Sequence, residues 1–135
     1  MGSRRRAREQ ALQMLFQLDV TGASPGEVFQ DFWPDHQAAP AEREFAQQLV
    51  LGVRGGLVDL DRRIGAAAEH WRIERMAVVD RNVLRMALHE LLADPETPAA
   101  VVLSEAVEVA KKFGGAESGA FVNGVLDAIR KKLQA

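Results

Sequence analysis

The sequence predicts an all-α fold of seven helices in two small packed bundles, and three observations carry that prediction. Alanine occurs twenty-one times while threonine occurs twice and tyrosine never, which favours helix over strand. Apolar residues recur at spacings of three and four, with no convincing run of strict alternation. Proline and glycine fall between the periodic stretches, where helices start and stop. With 135 residues, 47% of them apolar, the chain can bury one real core, so it reads as a single domain over 1–135.

The first helix covers about 4–20, with Ala7, Ala11, Met14, Leu15 and Leu18 on one stripe, and Thr21-Gly22 ends it. Ser24-Pro25-Gly26-Glu27 has the pattern of a capping box with proline in the first turn, so a short second helix runs over about 25–33, stopped by Trp33-Pro34. Pro40 opens a third helix carrying Phe45, Leu49 and Val53. Gly55-Gly56 separates it from a fourth with Leu57, Leu60, Ile64 and Ala68. The glycine pair is the expected junction between a subdomain of helices one to three, 1–55, and one of helices four to seven, 57–135.

The fifth helix, about 77–93, is apolar over more than half its circumference and is expected to be the central buried rod. Thr97 and Pro98 are read as cap and first residue of helix six, which Gly114-Gly115 closes. Ser118 is read as the cap of helix seven. Gly124, inside that helix, is expected to mark a close helix crossing.

Composition excludes several function classes. There is no cysteine, so disulfides, thiolate catalysis and cysteine-bound zinc are out. His36, His70 and His89 lack metal-ligand spacing, and no Ser, Thr or Lys stands in a triad-like pattern, so neither an enzyme nor a metal or other cofactor is expected. Glu108, four residues before Lys112, reads as an ordinary solvated ion pair beside Glu105. Gly114–Gly119 follows a helix rather than a strand and lacks the Lys-Ser/Thr of a phosphate loop. No membrane span or secretion leader is read, so a cytoplasmic protein is expected.

The net charge of −2 is unevenly spread: residues 1–18 hold four arginines against Glu9, whereas 19–61 hold two arginines against eight carboxylates. A basic start on an acidic chain is what one defined polyanion site requires. Phe16 lies almost opposite Leu18 on the first helix, on the same side as Leu12 and Arg5. Spacing alone favours a core role for it between the subdomains, with base stacking beside the arginines as the other reading.

Three segments together resemble the NusB family of transcription antitermination factors over essentially the whole length. They are Arg4-Arg5-Arg6-Ala7-Arg8-Glu9 with Leu15-Phe16; Val79 to Leu91; and Ser104 to Gly114 followed by Phe121-Val122-Asn123-Gly124-Val125-Leu126-Asp127. The chain has His89 where the family has tyrosine, and Ala120 where a basic residue is usual. The resemblance implies a non-enzymatic factor that binds single-stranded boxA RNA of ribosomal RNA leader transcripts. It would act with NusE, a ribosomal small-subunit protein, and help RNA polymerase read through terminators. It implies RNA contacts from Arg4, Arg5, Arg6, Arg8, Phe16 and Phe121, restraint of RNA affinity by Glu117, and NusE contacts from Glu74 and Asp80. Two other readings stay open: an RNA-docking module related to those of ribosomal RNA cytosine methyltransferases, and a protein-binding or homodimeric helical adaptor.

Overall fold

The computed structural model describes residues 3–134; residues 1, 2 and 135, the ends of the expected domain, lie outside the described residues. Among these there are seven α-helices and no strand. They are α1 (Ser3–Thr21), α2 (Pro25–Phe32), α3 (Pro40–Gly55), α4 (Leu57–Ala67), α5 (Val78–Ala93), α6 (Ala99–Gly114) and α7 (Ala116–Gln134). Two 3-10 turns, Trp33–Asp35 and Ile73–Arg75, precede α3 and α5.

The local signals explain most boundaries. Ser24 Oγ accepts from the Glu27 N–H, and the Glu27 carboxylate accepts from the Ser24 N–H, so both orphan donors at the start of α2 are satisfied. Gly22 (φ 74°) and Gly115 (φ 89°) adopt the left-handed backbone that turns the chain after α1 and α6. The expected second helix is shorter in α geometry, because Pro34 draws Trp33–Asp35 into a 3-10 turn.

Three local expectations are corrected. Thr97 does not cap α6: Asp94 accepts from its N–H and its hydroxyl, and the helix begins two residues later with no side-chain cap. Ser118 does not cap α7, which starts at Ala116; its hydroxyl donates instead to the Gly114 carbonyl. Gly124 is exposed, with nothing within 4 Å of the point where a Cβ would stand, so it marks no crossing. The close approach lies elsewhere: a Cβ on Gly52 of α3 would meet the His89 ring of α5 at 2.2 Å.

One continuous core draws buried residues from all seven helices. α5 is its axis, in contact with α1, α3, α4, α6 and α7, and Val83, Leu84 and Leu88 are fully buried. α1 lies on α2, α3, α5 and α6, while α6 packs most extensively on α7. α1 therefore presents one side to the core and carries its N-terminal arginines along the seam with α5 and α6.

Candidate nucleic-acid interface

The four arginines expected at the RNA from α1 separate into two sets. Arg5 and Arg8, three residues apart on one face, turn inward. Arg8 is 4% exposed. Its Nε and Nη2 each donate to a Glu90 oxygen of α5 at 2.7 Å, and its Nη1 lies 3.6 Å from Glu105 of α6. Arg5 forms a second forked pair, donating to Glu105 at 2.9 and 2.6 Å from a partly exposed position. Hydrogen bonding to Arg5 holds the Glu105 carboxyl below its usual range, against the effect of burial. Burial opposes the Arg8 charge, but the Glu90 bonds more than offset it and the guanidinium is held charged. The Arg8 side chain expected at the RNA thus lies inside the protein.

Arg4 and Arg6 form the other set and are exposed. The Arg4 guanidinium stands 4.7 Å from the centre of the Phe45 ring and reaches Asp94 only at 3.9 Å. Among the described residues Arg6 has no carboxylate within ion-pair distance. Glu105, expected to stand beside a solvated pair, is instead the carboxylate that holds Arg5. The expected pair itself is rearranged: Lys112 bonds Glu9 of α1 at 2.8 Å, and Glu108 pairs with Lys111.

Phe16 is 42% exposed, which overturns the core role that spacing favours. It lines an apolar groove of about 310 Å³ with Leu12, Gln13, Val79 and Phe113. Phe121, half-buried on α7, packs edge-on against exposed Trp71 at 5.8 Å. The structure thus sets Phe16 in one groove with Phe113, and Phe121 against Trp71. Sequence reasoning misses the Trp71 contact with Phe121 because a single tryptophan in a loop carries no periodic signal. Glu117 is exposed in the first turn of α7, where a carboxylate also favours the helix N-terminus.

Glu74 is exposed on the second 3-10 turn, and Asp80 is half-buried in the first turn of α5 with Oδ1 lacking a hydrogen-bond partner. This turn is strapped to the far end of α1. The Arg81 guanidinium donates to Asp19 at 2.7 and 2.9 Å and approaches the Ile73 and Glu74 carbonyls at 3.5 and 3.4 Å. Asp19 also accepts from Asn82 and from Arg85, and Arg85 in turn forks onto Asp61 of α4. Burial raises the Asp19 carboxyl, but the Arg81 and Asn82 bonds outweigh it and hold the group below its ordinary value.

Among the described residues no group of His, Asp or Glu is placed to hold a metal ion, and no helix is long and apolar enough to cross a membrane.

Comparison with known proteins bears on what such a surface serves. The model of the NusB family matches residues 5–131. The transcription antitermination protein NusB of Sorangium cellulosum is 50% identical over 133 residues, covering 98% of this chain and 95% of that protein. T. maritima NusB superposes with a TM-score of 0.87 at 36% identity, covering 96% of this chain and 91% of that one. A chain from the crystal structure of antitermination factors NusB and NusE in complex with dsRNA superposes with a TM-score of 0.84 at 32% identity, covering 96% and 97%. Matched along nearly its full length in both sequence and backbone, the chain belongs to the NusB family.

Proposed function

We propose that the chain acts in transcription antitermination by binding boxA RNA of ribosomal RNA leader transcripts together with NusE, in the cytoplasm, and so helps RNA polymerase read through terminators. The observation that carries this reading is the division of the arginines on α1. Arg8, and in part Arg5, are consumed in fixing the helix to Glu90 and Glu105, while Arg4 and Arg6 project from the first turns without an equivalent partner.

In this reading the exposed guanidinium groups neutralise phosphates and release counterions, which sets position but not sequence. Arg5 joins them when a phosphate takes over from Glu105, and Arg8 anchors the turn that presents them. Phe16 and Phe121 offer rings to unpaired bases. Glu117 restrains affinity by repelling the backbone, and Glu74 and Asp80 face basic groups of NusE. The glycine junction at Gly55–Gly56 is proposed as the boundary between subdomains 1–55 and 57–135, supported by the end of α3 and the start of α4 on either side of it.

The test is a titration of boxA RNA against a scrambled strand, with and without NusE. A preference for boxA that grows with NusE is expected; equal binding of both strands by the pair overturns the reading. Three phosphate contacts give a log–log salt slope of about −2 on single-stranded RNA, and Ala at Arg4, Arg5 and Arg6 together flattens it. An unchanged slope removes these arginines from the site.

A further inference from the structure

Beside the start of α1, Trp33, the segment 36–39 and the first turn of α3 border an open recess of about 510 Å³. Arg6 lines it from α1 and Arg43 from α3, with Trp33 and His36 between them. We propose that this recess takes a phosphate of the RNA strand between Arg6 and Arg43, with Trp33 as the wall for the adjoining sugar. The proposal rests on the RNA reading above and carries the bound strand from α1 across to α3.

Charge is the first argument. Two exposed guanidinium groups face one recess, and among the described residues neither has a carboxylate within ion-pair distance. Arg43 makes only a long bond to Gln47, at 3.5 Å, and otherwise lies over the Trp33 ring, 5.1 Å from its centre. The carboxylate that does line the recess, Glu42, is turned to its own helix, accepting from the Ala39 N–H at 3.4 Å. Two like charges lining one recess favour an anion there, and a guanidinium fork fits phosphate oxygens.

The second argument is rigidity and incomplete bonding. Trp33 is 7% exposed, yet its indole N–H, which can only donate, has no acceptor. His36 lies flat on Phe32, with ring centres 3.7 Å apart, and its Nδ1 donates to the Phe32 carbonyl at 2.7 Å. The aromatic lining of the recess is therefore fixed by packing, and Trp33 contributes to it a buried donor without an acceptor in the protein. Nothing in the core requires Arg43 to sit where it does: it is an exposed cation resting on an aromatic face.

The experiment uses the whole chain and a labelled boxA RNA, with affinity measured over a salt series. Arg43→Ala is expected to weaken binding roughly fivefold at low salt and to make the slope shallower by about 0.7, the loss of one phosphate. Arg43→Lys keeps the slope, whereas the wild-type slope is expected for Arg54→Ala, an equal change of charge on the exposed last turn of α3. If Arg6 and Arg43 hold the same phosphate, the double variant loses no more slope than either single one. Indistinguishable slopes for Arg43→Ala and Arg54→Ala overturn the proposal, as does an Arg43→Ala defect confined to NusE binding without RNA. The slopes are also read on a scrambled strand, so a failure of boxA preference in the wild type is told apart from a failure of the recess.

Discussion

The two ends of α1 are both tied to α5 by arginine–carboxylate pairs, but with opposite sense. At the start the arginines belong to α1 and the carboxylates, Glu90 and Glu105, to α5 and α6. At the finish the carboxylate, Asp19, belongs to α1, and Arg81, Asn82 and Arg85 of α5 converge on it. The finish is balanced: two arginines meet two carboxylates, Asp19 and Asp61, and neither guanidinium is left over. The start has a surplus, because two forked carboxylates take up Arg5 and Arg8, while Arg4 reaches Asp94 only at 3.9 Å and Arg6 is left exposed. A balanced cluster fixes geometry, and a surplus of one sign is what a ligand of the other sign can use.

The largest expected effect comes from breaking the buried pair at the start. Glu90→Ala leaves Arg8 charged and almost fully enclosed, and urea unfolding should show a loss of about 3 kcal/mol. A loss near that of an exposed pair would mean that the start is no more structural than the surface. At the finish, Asp19→Asn removes the charge on which Arg81 and Arg85 converge and should cost about 2 kcal/mol. It should also loosen the turn bearing Glu74, so NusE binding weakens while RNA binding by the chain alone holds. An equal loss of both would show the two ends to be one unit.

The smallest effect is in acid. Burial against Gly52 lowers the His89 pKa from 6.5, with Glu90 opposing it, so the folded chain favours the neutral ring. The unfolded chain then binds more protons, and the stability contributed above about pH 6.5 declines as pH falls through the lowered folded value. Asp19 and Glu105 are depressed carboxyls, so their contribution is present above the ordinary range near 3.8–4.5 and is lost as pH falls through the folded values. Stability measured from pH 7 down should fall first in a step that His89→Gln removes, and only later through Glu105 and Asp19.

Helix positions are legible in the sequence because punctuation in this chain is local: Ser24-Pro25, Pro40, Gly55-Gly56 and Gly114-Gly115 act on their own neighbours. Thr97, Ser118 and Gly124 mislead because each has two local uses, and the choice between them is made by Asp94, by Gly114 and by open solvent. The arginine segment is visible as charge. Which arginines stay exposed is not, since Arg5 meets Glu105 across 100 residues of chain and Arg8 meets Glu90 across 82, beyond any periodicity. Phe16 misleads for a related reason: a second apolar side on a helix looks the same whether another helix covers it or a groove leaves it open.

The imidazole resting on the bare backbone of Gly52 also constrains how this chain can change over time. A methyl group added there would meet the ring where it now stands, so enlarging position 52 requires the imidazole to turn aside or position 89 to become smaller. Relatives carrying a bulkier ring at 89 should therefore keep glycine at 52, and the two sites should drift as a pair while their neighbours vary independently.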